Sequence, residues 1–264
     1  MGGASVAMTD NAFAGANNPA TAAFAGNRAE LGVNVFMPKR GADEGTGAGY
    51  VGSASGTFLV PEFGYNTDFN REFSGGVTVY GNGGMNTDYP AGTIQTLNGG
   101  GAKTGVNLMQ LIIAPTVAYK LSDTSSVGLS PLLVYQSFKA DGLGGFSTMS
   151  TAGGSLSGNG SDSSTGFGIR MGYFGKLSNG VSMGASYSPK IRMSKLDKYA
   201  GLFAGGGNFD IPENYALGLA FDIAPKLKMA IDYERINYSK VSSIGNSSAN
   251  IFGCPAMGGS DPTR

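Results

Sequence analysis

The chain has 264 residues, with 18 Lys and Arg against 18 Asp and Glu, no His, no Trp and one Cys. It contains 45 glycines and only 14% charged residues, whereas average proteins carry roughly 7% Gly and roughly 25% charged residues. The lack of His excludes Ser-His-Asp and Cys-His catalysis and imidazole zinc sites. A zero net charge without Lys/Arg runs argues against nucleic acid as a partner. We therefore expect neither an enzyme nor a metal or cofactor protein.

A helical membrane protein is also excluded, because no window reaches the roughly 18 apolar residues that a spanning helix needs. The most apolar window, residues 108–121, is interrupted by Gln110, Pro115, Thr116 and Lys120. A secretory signal pattern is missing. We expect any such signal to have been removed or to lie outside this chain.

Strict apolar/polar alternation over residues 181–193 indicates a β-strand with one apolar face. The same period of two recurs along the chain. It predicts nine strands, near residues 29–37, 57–66, 72–81, 105–121, 125–139, 164–177, 180–193, 211–223 and 226–239.

The predicted connections alternate between long and short. The long ones are residues 38–56, 82–104, 140–163 and 194–210, and the short ones are 67–71, 122–124, 178–179 and 224–225. This layout is typical of an outer-membrane β-barrel with long extracellular loops and short periplasmic turns. The sequence predicts an all-β, transmembrane antiparallel barrel, with a soluble all-β fold as the alternative.

The two ends of the chain differ from the middle. Residues 1–28 lack alternation and are rich in small residues, which fits a plug inside the barrel or a frayed terminus; residues 29–264 form the predicted partial barrel. Because bacterial barrels have even strand numbers, nine strands predict a C-terminally truncated barrel. Cys254 lies in a predicted external loop, either free or paired with a Cys beyond the chain.

Six segments together resemble the FadL/TodX outer-membrane transporters of long-chain fatty acids and other hydrophobic compounds. They are residues 2–7, 18–20, 114–123, 198–203, 209–215 and 232–239. The resemblance implies about fourteen strands with an N-terminal hatch in the lumen. It also implies capture of ligand in an apolar groove of the third and fourth extracellular loops, here 140–163 and 194–210. The ligand would then pass to a pocket near the hatch and leave sideways where the third strand kinks.

The candidate site residues follow from this reading. The apolar loop residues either form the capture groove or pack the loops together. They are Leu143, Phe146, Met149, Leu196, Tyr199, Leu202 and Phe203. Three cations lie on the predicted lumen face: Arg170, Lys190 and Arg192. They either pair with a ligand carboxylate or form salt bridges with acids such as Asp222, Asp232 and Glu234.

Two further sets concern the hatch and the wall. Asn17, Asn18, Pro19 and Ala20 indicate a turn that holds the shape of the hatch. The pair at residues 75–76, both Gly, is the candidate lateral gate, because Gly within a strand often marks a bend; the alternative is one more Gly pair in a Gly-rich chain.

We therefore predict passive transport of long-chain fatty acids or aromatic hydrocarbons by a monomer in the lipid of the bacterial outer membrane. A general porin for hydrophilic solutes and a surface adhesin or structural β protein are the alternatives.

Overall fold

A computed structural model describes residues 3–43, 51–92, 103–225 and 227–246. It contains the nine predicted strands, all in one antiparallel sheet. They are β1 (Arg28–Phe36), β4 (Phe58–Asp68), β5 (Phe73–Tyr89), β6 (Thr104–Lys120), β7 (Ser125–Asp141), β8 (Asp162–Ser178), β9 (Val181–Ser188), β10 (Asn214–Ala224) and β11 (Leu227–Ile236). Each pairs with the next in chain order. Two short strands, β2 (Gly41–Ala42) and β3 (Val51–Gly52), form a separate ribbon.

The sheet is curled into half a barrel. Bulky apolar residues are exposed on its convex face, and the residues on its concave face are mostly buried. In β6, Met109 is 57% exposed and Ile113 is 38% exposed, whereas Ile112 and Ala114, on either side of Ile113, are 1% exposed or less. A soluble barrel buries its large side chains inside. The alternation predicted from the sequence is confirmed, and its orientation is that of a membrane barrel.

Two strands end five or more residues away from their predicted ends. β5 continues to Tyr89 rather than residue 81, because its polar second half still pairs with β6 beyond a bulge between Gly81 and Gly83. β9 ends at Ser188 rather than residue 193, since Pro189 has no N–H for the ladder. The chain then turns into the concave side, where Ile191 pairs with Ile211.

Residues 3–27, the N-terminal segment, lie against the concave face. They include a 3-10 turn (Pro19–Thr21) and the short helix α1 (Ala22–Ala25), and Ala20 and Ala22 are completely buried. The wall beneath carries several glycines that allow this close approach. A Cβ at any of these positions would overlap the segment or come within 3 Å of it. These glycines are Gly64, Gly128, Gly172, Gly184 and Gly218.

The connections that follow β7, β9 and β11 carry short helical turns. They are Gly144–Met149 and Gly153–Ser155 after β7, Asp197–Tyr199 and α2 (Ala204–Gly207) after β9, and Tyr238–Lys240 and α3 (Ser242–Gly245) after β11. No helix in the described part of the chain is long and apolar enough to cross a membrane.

Candidate functional site

An aromatic cluster joins the loop after β9 to the end of β7. The ring of Phe138 lies 4.8 Å, between centroids, from the rings of both Tyr199 and Phe203, in edge-to-face geometry. Phe203 in turn lies 4.8 Å from Phe209. Leu196 is completely buried beside them. Such pairs add to the stabilisation from apolar burial, so this loop is fixed to the barrel wall.

The Tyr199 hydroxyl anchors the cluster to the backbone. It accepts a hydrogen bond from Ala140 N at 3.0 Å and donates to Gly160 O at 2.5 Å. Burial raises the pKa of this hydroxyl above its usual value, which keeps it neutral and able to donate. One side chain therefore ties together β7 and two loops.

The predicted groove residues divide into two groups. Leu196, Tyr199 and Phe203 are buried in the aromatic cluster, where they pack the loops. The others stay partly exposed around it or on the neighbouring turn. These are Leu143, Phe146, Met149 and Leu202. The first group therefore packs the loops together, and the second group forms a partly exposed apolar surface.

A second apolar cluster fills the lumen between the aromatic cluster and the N-terminal segment. It contains Tyr80, Ile112, Ala114, Leu132, Val134, Ile191, Met193 and Ile211, with Ala16 packed against it. None of these residues is among the predicted site residues. Ile191 and Met193 continue the alternating phase of β9, so the pattern alone placed them on the convex face.

The three candidate cations have different surroundings. Arg170 is 7% exposed, and its guanidinium donates to Gly15 O at 3.1 Å and to Ala16 O, and contacts the Tyr80 hydroxyl at 3.3 Å. Arg170 therefore binds the N-terminal segment. Lys190 forms an ion pair at 3.3 Å with an acid that the sequence analysis did not name, Asp210.

Arg192, the third cation, is exposed. Two of the three predicted acidic partners of these cations contact other groups, and the third, Glu234, has no partner among the described residues. Asp222 lies 3.9 Å from Lys228, and Asp232 accepts backbone hydrogen bonds from the N-terminal segment.

Asn18 organises the N-terminal segment. Its amide nitrogen donates to Val6 O and to Tyr173 O, both at 2.8 Å, and its amide oxygen accepts from Ala20 N at 3.1 Å. The side chain thus caps the 3-10 turn and ties two parts of the segment to β8. Asn17 next to it is only half-buried.

Charged residues on β1 and β11 hold the same segment from opposite edges of the sheet. On β11, Asp232 Oδ2 accepts from the backbone N–H groups of Ser5 and Val6 at 2.6 and 2.9 Å. Lys228 on the same strand lies 3.0 Å from Asp10. On β1, Arg28 donates to the Asp10 carbonyl. Residues 5–10 therefore form a strap across the open side of the sheet.

The wall of the sheet has one interrupted seam. The β4–β5 ladder stops at the pair Phe63 and Val79. Beyond it, residues 58–62 pair only with β1, and residues 80–89 pair only with β6. Farther along, Ala54 N donates to Asp88 O at 2.7 Å and closes the far end. We call this stretch, residues 58–62 beside 80–87, the β4–β5 seam.

The seam is closed by side-chain contact instead of a ladder. A Cβ placed on Gly81 would lie 3.0 Å from Val60 Cγ1, and the bulge falls between Gly81 and Gly83. Asn82 donates to Gln110 at 3.1 Å, which starts a chain of amides along the lumen face. Opening the seam breaks no β4–β5 backbone hydrogen bond, each of which adds about 1 kcal/mol.

The predicted gate at Gly75 and Gly76 is not where the wall is interrupted. Gly75 pairs with Thr67 and Val117, and Gly76 pairs with Asn66 and Thr116. Both glycines thus lie in an unbroken three-strand ladder, which leaves no space between strands there. The interruption begins in the same strand at Tyr80.

A family model describing outer membrane protein transport proteins (OMPP1/FadL/TodX) matches residues 1–256. The chain belongs to this family. The OMPP1/FadL/TodX family consists of outer-membrane transporters of hydrophobic compounds, aromatic hydrocarbon channels among them. The predicted family, the β-barrel fold and the outer-membrane location are thereby confirmed. No curated protein matches the sequence at a significant level.

Solved structures share the OMPP1/FadL/TodX fold at low sequence identity. The toluene transporter TbuX of Ralstonia pickettii superposes with a TM-score of 0.68 at 18% identity, covering 92% of this chain and 71% of TbuX. The toluene transporter TodX of P. putida gives 0.65 at 21%, covering 85% and 66%. A Pseudomonas aeruginosa FadL homologue gives 0.64 at 16%, covering 90% and 66%. The chain therefore spans about two thirds of each of these proteins.

Proposed function

We propose that this protein passively conducts hydrophobic compounds, aromatic hydrocarbons or long-chain fatty acids, from the extracellular face into the outer membrane. Ligand is captured at the partly exposed apolar residues around the aromatic cluster and moves through the apolar lumen. The N-terminal segment acts as the hatch that blocks passage along the barrel axis. The ligand then leaves sideways through the β4–β5 seam. The chain acts as a monomer and catalyses no reaction.

The seam is the observation that carries this proposal. It connects the lumen with the convex face, and that face carries exposed apolar residues such as Leu59 and Leu31, at 68% and 79% exposure. A hydrophobic ligand leaving there enters an apolar phase and avoids the cost of crossing water. Hydrophilic solutes gain nothing by that exit, which supports transport of hydrophobic compounds over a general porin.

A reversible cross-link across the seam tests lateral exit. Cysteines introduced as Val60→Cys and Gly81→Cys, in a Cys254→Ser background, are close enough to form a disulfide. We expect uptake of labelled toluene or palmitate to stop when the pair is oxidised and to recover on reduction. The reduced protein is its own control. Full uptake by the oxidised protein would contradict exit through the seam.

Capture at the loops rests on the apolar surface around the aromatic cluster. Leu202→Asp places a charge on this surface, while Thr124→Asp places the same charge on an exposed polar position of the turn between β6 and β7, away from this surface. We expect the first change to lower uptake about tenfold or more, because a charged group disfavours apolar ligands. The second should leave uptake unchanged. Equal uptake by both variants would argue against capture at this surface.

A further inference from the structure

Glu62 is a lumen-facing carboxylate at the start of the β4–β5 seam. Gly64 and Asn66 follow it on the same face of β4 and contact the N-terminal segment, so the side chain at 62 also points inward. It immediately precedes Phe63, the last residue of β4 that pairs with β5. Any ligand that leaves the lumen through the seam passes this position.

Nothing in the described part of the chain neutralises this carboxylate. Glu62 makes no hydrogen bond and no ion pair there, and it is only half-buried. Its side chain lies across Gly32 of β1, where a Cβ would approach Glu62 Oε1 to 2.5 Å. A glycine at 32 thus leaves room for the carboxylate to lie along the wall.

The neighbouring charges are already engaged. Glu30, on the adjacent strand, lies 3.6 Å from Arg28 and accepts from Ala12 N. Arg170 donates to backbone carbonyls of the N-terminal segment. Arg40 lies over the ring of Phe58, at the far end of the seam, and donates to Ser55 O. At the start of the seam, Glu62 is the carboxylate without a partner among the described residues, so a departing ligand meets its negative charge there.

We propose that Glu62 makes the seam selective by charge, so that neutral hydrophobic ligands leave through it and carboxylates of the same length are disfavoured. Like charges repel more strongly in a partly buried site than in water. The inference rests on lateral exit as proposed above. It deepens that function by assigning the preferred ligand head group as neutral.

A matched pair of ligands isolates the head group. 1-Decanol and decanoate have the same chain length, and their labelled uptake is compared in Gram-negative cells that lack their own hydrophobic-compound channel. We expect cells with the unmodified protein to take up decanol in preference to decanoate. Glu62→Gln should raise decanoate uptake relative to decanol about tenfold, which corresponds to one like-charge repulsion removed.

Glu234→Gln is the matched control, because Glu234 also faces the lumen side, on β11, and has no partner in the described part of the chain. It should leave the ratio unchanged. Retained decanol uptake shows that the Glu62→Gln protein is folded. An unchanged ratio in that variant overturns the charge filter alone. Uptake of neither ligand by the unmodified protein overturns the proposed function, and the filter with it.

Discussion

At the scale of single residues, Asn18 combines roles that no other side chain of its size could fill. An amide offers two N–H donors and a carbonyl acceptor, and Asn18 uses both ends on Val6, Tyr173 and Ala20 while completely buried. Asp lacks the donors, and Ala lacks all three groups. The order of an N-terminal segment with little regular structure therefore depends on this residue.

Replacement of Asn18 by Ala should destabilise the protein by about 2 kcal/mol, since it removes a cap and leaves buried carbonyls without donors. Urea-induced unfolding in lipid vesicles measures this loss. Asn17→Ala is the control, because the Asn17 side chain is half-buried and makes no hydrogen bond in the described part of the chain. Equal stability of the two variants would contradict the role given to Asn18.

At the scale of elements, the glycines of the concave wall determine how closely the N-terminal segment packs. Gly184 in β9 lies opposite Gly218 in β10, and a Cβ at 184 would overlap the Val6 carbonyl. The contact is between backbone and backbone, so neither side can rotate away. The concave face therefore carries Gly where the N-terminal segment lies against it, while the convex face carries Leu, Ile and Tyr.

Gly184→Ala should therefore displace residues 5–7 and lower stability by about 1–3 kcal/mol, as overpacking does. The same unfolding experiment measures it, and planar-bilayer recordings should show a larger ion leak. Gly154→Ala, where a Cβ meets nothing within 4 Å, is the control. A stable and non-leaking Gly184→Ala protein would show that the segment is not packed against β9.

An ion pair links the start of β10 to the end of β11. Lys240 Nζ donates to Glu213 Oε2 at 2.5 Å, and this hydrogen bond lowers the pKa of Glu213 below its ordinary 4.5. A carboxyl with a lowered folded-state pKa stabilises the fold above its unfolded pKa, and that contribution is lost as the pH falls through the folded pKa.

We therefore expect the amides of Tyr238–Lys240 to lose hydrogen-exchange protection, corrected for intrinsic rates, as the pH falls below about 4.5. In Lys240→Met, protection should already be low at neutral pH and should change little on acidification. If protection falls equally in both proteins on acidification, the loss is caused by groups other than the Glu213–Lys240 pair.

The elements also show how far the sequence predicts the structure. Alternation depends on near neighbours in the chain, and it predicted all nine strands of the sheet. The inward turn after Ser188 depends on space in the lumen, so residues 189–193 were predicted on the wrong face. The Gly pair at 75–76 and the Gly residues at 81–84 look alike in the sequence. Only the register of β4 beside β5 distinguishes the paired glycines from the seam.

At the scale of the whole molecule, apolar surface is arranged in series. Partly exposed loop residues lead to the aromatic cluster, and the bonded amides of Gln110 and Gln136 lie between this cluster and the lumen cluster around Ile112. The seam begins beside Tyr80 in that lumen cluster. The N-terminal segment is held against the concave face by backbone contacts and the charged strap, and in the proposed mechanism it blocks passage along the barrel axis. This arrangement supports the proposed transport of hydrophobic ligands with a sideways exit.

Uptake of three labelled compounds tests this account most directly. Toluene, a long-chain fatty acid and a sugar are offered to Gram-negative cells that lack their own hydrophobic-compound channel, with and without this protein in the outer membrane. The account predicts protein-dependent uptake of a hydrophobic compound and no uptake of the sugar. Entry of the sugar, or no uptake of any compound despite insertion in the outer membrane, would contradict it.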